Sequence, residues 1–120
     1  MKKFLPVLIL VAALLLTAAP AFAMEGHECD HSGATVESLH HCVMHAYEMG
    51  HITSAGTEKS LLAKLDAAQA ALDRGQTKVA LNLLNAFVEQ VNEEAGLTIH
   101  EEHAMHLVMH AENVMAALRG

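Results

Sequence analysis

Apolar residues recur every three or four positions in two adjacent stretches between Ser60 and Val91, and this spacing predicts a hairpin of two amphipathic helices. Arg74 and Gly75 suit the end of the first helix, and Thr77 is expected to cap the second. A connection this short makes the two helices antiparallel neighbours. Their predicted buried stripes are Leu61, Leu62, Leu65, Ala68 and Leu72 in the first helix, and Ala80, Leu81, Leu84, Phe87, Val88 and Val91 in the second.

The same periodicity predicts one further helix on each side of this hairpin. The first should run from about Val36 to Met49 and end at Gly50. The last should begin at a capping box formed by Thr98 and Glu101, after Gly96 has ended the helix before it. Their buried stripes are expected to be Val36, Leu39, Val43 and Ala46 or Tyr47, and Leu107, Ala111, Val114 and Leu118. The pattern therefore predicts an all-α fold, a compact four-helix up-down bundle with short connections.

The segment before the predicted bundle has the features of a cleaved secretory signal peptide. Residues 1–23 contain Lys2 and Lys3, an apolar run over 5–16 and a small-x-small cleavage signal at 21–23. The apolar run is too short to span a bilayer comfortably, and no second long run follows it. We therefore predict export to the periplasm or the cell exterior, with no membrane span in the mature chain.

After the signal, the sequence predicts a polar tail over residues 24–35 and a single domain over 36–119. The whole chain has a formal net charge of −7, and loss of the signal lysines makes the mature protein more negative. This balance argues against nucleic acid and against anionic lipid surfaces as partners. Ile52, just past the first helix, is expected to cover that helix end as an apolar clasp.

The two cysteines, Cys29 and Cys42, lie in a chain that is predicted to enter an oxidising compartment. A disulfide between them is favoured, and it would tie the polar tail to the first helix. Closing such a short loop contributes about 3 kcal/mol on the chain-entropy estimate. If both cysteines are instead thiolates, they could hold zinc together with His31 and His45.

All ten histidines follow residue 23, which is far more than an average composition supplies. Residues three or four apart on a helix share a face. By this rule His41 and His45 pair on the first helix, and His103, His106 and His110 form a row on the last. In an antiparallel bundle His106 is expected near the level of His45. These five side chains are the predicted ligands of a zinc, copper or nickel site.

Two ordinary interpretations of the histidines stay open beside the metal hypothesis. Imidazoles at the edges of a bundle commonly pack and hydrogen-bond, and they also titrate near neutral pH. Enzymatic motifs are missing from the sequence, which has no Gly-x-Ser-x-Gly elbow and no phosphate-binding glycine loop. The segment from His100 to His103 has the wrong spacing for a His-Glu-x-x-His metalloprotease helix. We therefore predict that the protein is not an enzyme.

Twenty positions spread through the predicted helices and turns form a recognisable pattern. They are Gly50, Ile52, Ser60, Leu61, Lys64, Leu65, Ala68, Leu72, Gly75, Ala80, Leu84, Ala86, Phe87, Val91, Gly96, Ile99, Ala104, Leu107, Ala111 and Leu118. This pattern resembles the FIMAH-type domain, a small α-helical module often found at the C-terminal end of large secreted bacterial proteins. The resemblance covers residues 36–119 and implies a non-enzymatic accessory module without catalytic residues. Together with the signal peptide it predicts an exported module that interacts with, or packs against, an unidentified protein of the cell envelope. The alternative function is a small periplasmic metal-binding protein.

Overall fold

Four helices form the domain in a computed structural model that describes residues 29, 31 and 33–120. Each helix packs against the next one along the chain, and the last packs back against the first. The predicted all-α bundle is therefore confirmed, whereas the predicted signal peptide over 1–23 and most of the tail over 24–35 lie outside the described residues. The helices are α1 (Val36–Glu48), α2 (Ala55–Asp73), α3 (Thr77–Glu94) and α4 (Glu101–Arg119).

The apolar stripes of the four helices meet in one core around Phe87, which has no exposed surface. Full burial of a side chain of this size contributes about 1.5–3 kcal/mol. Some stripe residues lie at the rim and are only half-buried, because a stripe this wide exceeds the face that two neighbouring helices can cover. These half-buried residues are Tyr47, Leu62, Leu72, Leu81, Val88 and Leu118.

The first two helices begin at residues whose hydroxyl groups accept a backbone hydrogen bond. Thr35 caps α1: its Oγ1 accepts the backbone N–H of Ser38 at 3.0 Å, and Ser38 Oγ accepts the backbone N–H of Thr35 at 3.4 Å. Ser54 caps α2 by accepting the backbone N–H of Thr57 at 3.2 Å. Because of this cap, α2 begins at Ala55, five residues before the start of the predicted helical stretch.

The capping predictions for the other two helices were wrong. α3 follows Gln76, which makes no side-chain cap, and Thr77 is already its first helical residue. α4 follows His100, also without a side-chain cap. Thr98 instead bonds Glu94 at 2.6 Å and Thr57 at 3.0 Å, so its hydroxyl stabilises the α3–α4 turn and not the start of α4.

A clasp between two loops closes one end of the bundle and explains why α4 starts late. Ile52 and Ile99, each about 1% exposed, lie in an antiparallel bridge. The backbone N–H of Thr53 donates to the carbonyl of Thr98 at 2.8 Å, and the N–H of His100 donates to the carbonyl of His51 at 2.9 Å. The apolar clasp predicted at Ile52 is confirmed, and it places His51 beside the first turn of α4.

Gly50, Gly75 and Gly96 follow the ends of α1, α2 and α3, as predicted. Gly75 has a φ of +76° and Gly96 a φ of +79°, in the left-handed region that side chains with a Cβ rarely adopt. These turns keep the connections short, so the helices alternate in direction and α1 and α4 run antiparallel as neighbours.

Candidate functional site

Six histidine side chains follow one another along the side of α4 that faces α1, and we call them the histidine row. α4 contributes three of them, because positions three or four apart project from one side of a helix. The ring centroids of His103 and His106, for example, lie 5.9 Å apart. The members of the row are His31, His51, His100, His103, His106 and His110.

His51 joins the row from the loop between α1 and α2. The clasp at Ile52 holds its backbone against the start of α4. Its ring stacks on that of His103, with centroids 3.6 Å apart and planes 15° from parallel, and lies 5.5 Å from the ring of His100. This contact places the His51 ring directly against that of His103.

His31 joins the row from the tail. The disulfide between Cys29 and Cys42, with Cα atoms 5.4 Å apart, fastens the tail to the buried side of α1. Two residues later, the ring of His31 lies 5.4 Å from the ring of His106 and 5.4 Å from that of His110. The disulfide predicted from the sequence therefore positions a histidine in the groove between α1 and α4.

A chain of hydrogen bonds runs from the tail through α4 to the start of α1. His110 has no exposed surface; its Nδ1 lies 3.2 Å from Nδ1 of His31, and its Nε2 lies 2.9 Å from Ser38 Oγ. Ser38 Oγ also lies 2.8 Å from the carbonyl of Thr35, which can only accept. The Ser38 proton is thus used, so Nε2–H of His110 donates to Ser38, and a further hydrogen bond joins Nδ1 of His110 to Nδ1 of His31.

The tail approaches this chain of hydrogen bonds very closely at Gly33. A Cβ atom placed there would lie 2.7 Å from Ser38 Oγ and 2.8 Å from Ser38 Cβ. It would also lie 3.8 Å from Nε2 of His110. Glycine is therefore required at this position for the tail to lie against α1 while Ser38 bonds His110.

The electrostatic environment of the row keeps its central member uncharged. Burial, together with the charges that His51, His106 and His31 can carry, lowers the pKa of His103 from 6.5 to about 4. Glu102 acts in the opposite direction and only partly offsets these effects. At neutral pH His103 is therefore a neutral imidazole, the form that binds a metal or accepts a hydrogen bond.

The FIMAH domain model matches residues 36–116 of the chain, which include all of α1, α2 and α3 and most of α4. The chain belongs to the FIMAH domain family. This confirms the family resemblance inferred from the sequence. Comparisons with curated proteins and with solved structures gave no significant match.

The matched range divides the histidine row of this FIMAH domain into two parts. His31 and its anchoring Cys29 precede residue 36 and so lie before the match, whereas His51 and the histidines of α4 lie inside it.

Across the residues that the structure describes, no helix is long and apolar enough to cross a membrane.

The five predicted metal ligands of this FIMAH domain fall into two places. His41 and His45 form their own stacked pair on α1, with ring centroids 6.5 Å apart, and His41 is exposed. Since Ser38 contacts His110 and the helices are antiparallel, His45 is level with His103, one turn from the predicted His106. Within residues 29, 31 and 33–120, these five side chains supply no group of three ligand atoms within 4.8 Å.

Three members of the row, His31, His51 and His100, were not among the five metal ligands predicted from the sequence. His31 could have been included by following the predicted disulfide, because the bond between Cys29 and Cys42 draws the tail onto α1. His51 could have been included by following the clasp predicted at Ile52. His100 lies just before the first turn of α4 and three residues from His103. The rule that residues three or four apart share a helix face could therefore also have included it.

A second group of metal-binding residue types lies next to the row. Ligand atoms of Cys29, His31 and Cys42 all lie within 4.8 Å of one another. Both sulfurs are bonded to each other in the disulfide, so neither is a thiolate. In the oxidised domain the imidazoles in this groove can bind a metal, whereas the two sulfurs could do so only after the disulfide is reduced.

Proposed function

We propose that this FIMAH domain is an exported, non-catalytic module that binds a partner protein. Family membership supports a helical accessory module, and the disulfide between Cys29 and Cys42 is compatible with an oxidising compartment. The histidines, the residues best suited to acid–base catalysis, adjoin one another and the Ser38 hydroxyl. Because Ser38 Oγ donates to the Thr35 carbonyl and not to His110, this contact lacks the donor direction of a base-activated nucleophile, which supports binding over catalysis.

The observation that carries the proposal is a set of exposed methionines on the same two helices that enclose the histidine row. Met44 on α1 and Met49 just after it are 41% and 56% exposed, and Met105 and Met109 on α4 are 57% and 55% exposed. Methionine is flexible and polarizable, and exposed methionines are common on surfaces that adapt to a protein partner. Met105 and Met109 are one turn apart on α4, so they present neighbouring apolar side chains, which we call the methionine strip.

Site-specific photo-crosslinking in the producing cell tests this proposal. A benzophenone side chain would replace Met105 or Met109 in separate variants, and Val79 of α3 in a control. Val79 is a suitable control because it is also apolar and 44% exposed, but lies on another helix. The proposal expects one shared adduct from both α4 positions and none from Val79. Equal adducts from all three positions, or none from any, would contradict it.

We propose as a second candidate function the binding of a transition metal by imidazoles of the row, on the basis of the distances between three of the rings. The His106 ring lies 5.9 Å from that of His103 and 5.4 Å from that of His31. Two imidazoles bound to one tetrahedral zinc ion have centroids about 5 Å apart, so small side-chain rotations would suffice. The low pKa of His103, about 4, keeps its nitrogen available at neutral pH.

Calorimetric titration of the oxidised domain with zinc and nickel tests the second candidate. Replacing His103 and His106 with alanine should abolish binding, whereas replacing His41 and His45 should leave it unchanged. The His41/His45 variant is a matched control, because it removes two histidines of a helical pair outside the row. Binding that survives the first variant would rule out the row as the metal site.

A further inference from the structure

We propose that reduction of the Cys29–Cys42 disulfide creates a zinc site whose ligands are Cys29, Cys42, His31 and His106. The proposal goes beyond partner binding and beyond an all-imidazole site, because it requires the sulfurs and a change of redox state. It begins from the group of Cys29, His31 and Cys42, whose ligand atoms lie within 4.8 Å of one another.

The two sulfurs are bonded to each other and a nitrogen of His31 lies within 4.8 Å of both, so a zinc site requires the sulfurs to separate and the imidazole to approach. With bonds of about 2.3 Å to sulfur and about 2.0–2.1 Å to nitrogen, tetrahedral zinc holds two sulfurs about 3.8 Å apart and a sulfur and nitrogen about 3.6 Å apart. The Cα atoms of Cys29 and Cys42 are 5.4 Å apart, so rotation of the two side chains can separate the released sulfurs by this amount. The imidazole of His31 then needs to move by only about an ångström.

His106 is assigned as the fourth ligand, because the His110 ring, also 5.4 Å from that of His31, is already bonded to Ser38. The His106 ring centroid lies 5.4 Å from that of His31, near the separation of about 5 Å expected for two imidazoles on one tetrahedral ion. It is half-buried and belongs to α4, so it would add a second helix to the site. Zinc would therefore link the tail, α1 and α4 in the place of the disulfide, which links only the tail and α1.

His110 has a different task, which is to orient His31. Its Nδ1 lies 3.2 Å from Nδ1 of His31, and its own Nε2–H donates to Ser38. With His31 as the donor in the first contact, Nε2 of His31 would be the nitrogen that binds the metal. Metal-binding histidines usually donate their other N–H in this way, and such outer contacts fix the ring and raise its basicity.

The redox step is balanced by a dithiol reductant. The disulfide accepts two electrons and two protons from the dithiol, which becomes a disulfide itself, and Cys29 and Cys42 become thiols. Each thiol then loses its proton to solvent as its sulfur binds Zn²⁺. Two thiolates and two neutral imidazoles leave the bound ion without net charge, which suits a site whose Cys42 ligand is 2% exposed.

Cobalt(II) is the appropriate first probe, because it substitutes for zinc and its spectrum reports both geometry and sulfur ligation. It would be titrated anaerobically into the oxidised mature domain and into the same protein reduced with a phosphine. We expect a thiolate-to-cobalt charge-transfer band and strong tetrahedral d–d bands in the reduced protein only. One ion should bind per chain, and zinc should displace it.

Variants then assign the ligands in the reduced protein through competition with a chromophoric chelator. Replacing Cys29 and Cys42 with serine should weaken zinc binding by about 100-fold or more, and His31→Ala or His106→Ala by at least about tenfold. His45→Ala is the matched control, since His45 is one turn from Cys42 and should leave the affinity unchanged. Circular dichroism of each sample checks that the helices remain folded.

Several outcomes would overturn the proposal. Reduced protein without the charge-transfer band, or with helices lost on reduction, would show that no thiolate site forms on this fold. Equal binding by oxidised and reduced protein would assign the metal to the histidine row alone. Loss of zinc affinity in His45→Ala but not in His106→Ala would show that His45, and not His106, is the fourth ligand. The photo-crosslinking result is independent of these measurements, so the two proposals can fail separately.

Discussion

Acidification is expected to destabilise this FIMAH domain through His103. The folded state lowers the pKa of His103 from 6.5 to about 4, so between these values the unfolded chain binds more protons than the folded one. Stability therefore falls as the pH decreases through this window, and the contribution is constant above about pH 7. The groups that face His103 are His51 from the loop, His31 from the tail, and His106 and Glu102 from α4.

The size of the effect follows from the same shift. Between about pH 7.5 and about pH 4.5, the full shift corresponds to about 2.5 kcal/mol of lost stability. His103 is only half-buried, and solvent screening reduces this to about 1–1.5 kcal/mol. In a His103→Gln variant, which does not titrate, this part of the pH dependence should disappear.

Urea unfolding of the oxidised domain, followed by circular dichroism at both pH values, measures the effect. The comparison is the loss of stability on acidification in the parent protein minus the loss in His103→Gln. His41→Gln is the control, because His41 is exposed on α1 outside the row, and its loss should match that of the parent. A difference for His103→Gln within about 0.3 kcal/mol of zero would refute the electrostatic reasoning.

Three further substitutions test the packing that forms the site, each by urea unfolding at neutral pH. His110→Ala removes a fully buried ring and its bonds to Ser38 and His31, and should cost about 3–5 kcal/mol; a cost below about 1 kcal/mol would contradict the hydrogen-bond chain. Gly33→Ala places a methyl group against Ser38 and should cost about 1–3 kcal/mol, whereas unchanged stability would show that the tail does not lie there. Ile52→Ala should cost about 2–5 kcal/mol because Ile52 is 1% exposed, and a cost near zero would show that the clasp carries no stability.

The helices and their buried faces could be predicted because their information is local and periodic. Leu65 on α2 and Leu84 on α3 recur at helical spacing with their neighbours, and both are fully buried. The capping box predicted at Thr98 was wrong because Thr98 lies in the turn between α3 and α4, where its hydroxyl forms hydrogen bonds with Glu94 and Thr57. Glu94 is only four residues from Thr98, but the contact with Thr57, which is 41 residues away, could not be predicted from local sequence.

The candidate site was predicted only in its helical part for a related reason. Spacing alone located His103, His106 and His110, since they share one side of α4. His31 reaches the row through a disulfide, and His51 reaches it through a clasp between two loops. Contacts of this kind depend on the register of α1 against α4, and a pattern within one helix does not determine that register.

The most direct test of the central claim uses the protein that the α4 crosslink recovers. Its affinity would be measured by calorimetry for the parent domain, for a Met105→Glu/Met109→Glu variant and for a Val79→Glu control. Partner binding through the methionine strip predicts a loss of about tenfold or more in the double variant, about 1.4 kcal/mol, and none in the control. Equal affinities for all three proteins would contradict the claim that this FIMAH domain binds a partner through that face.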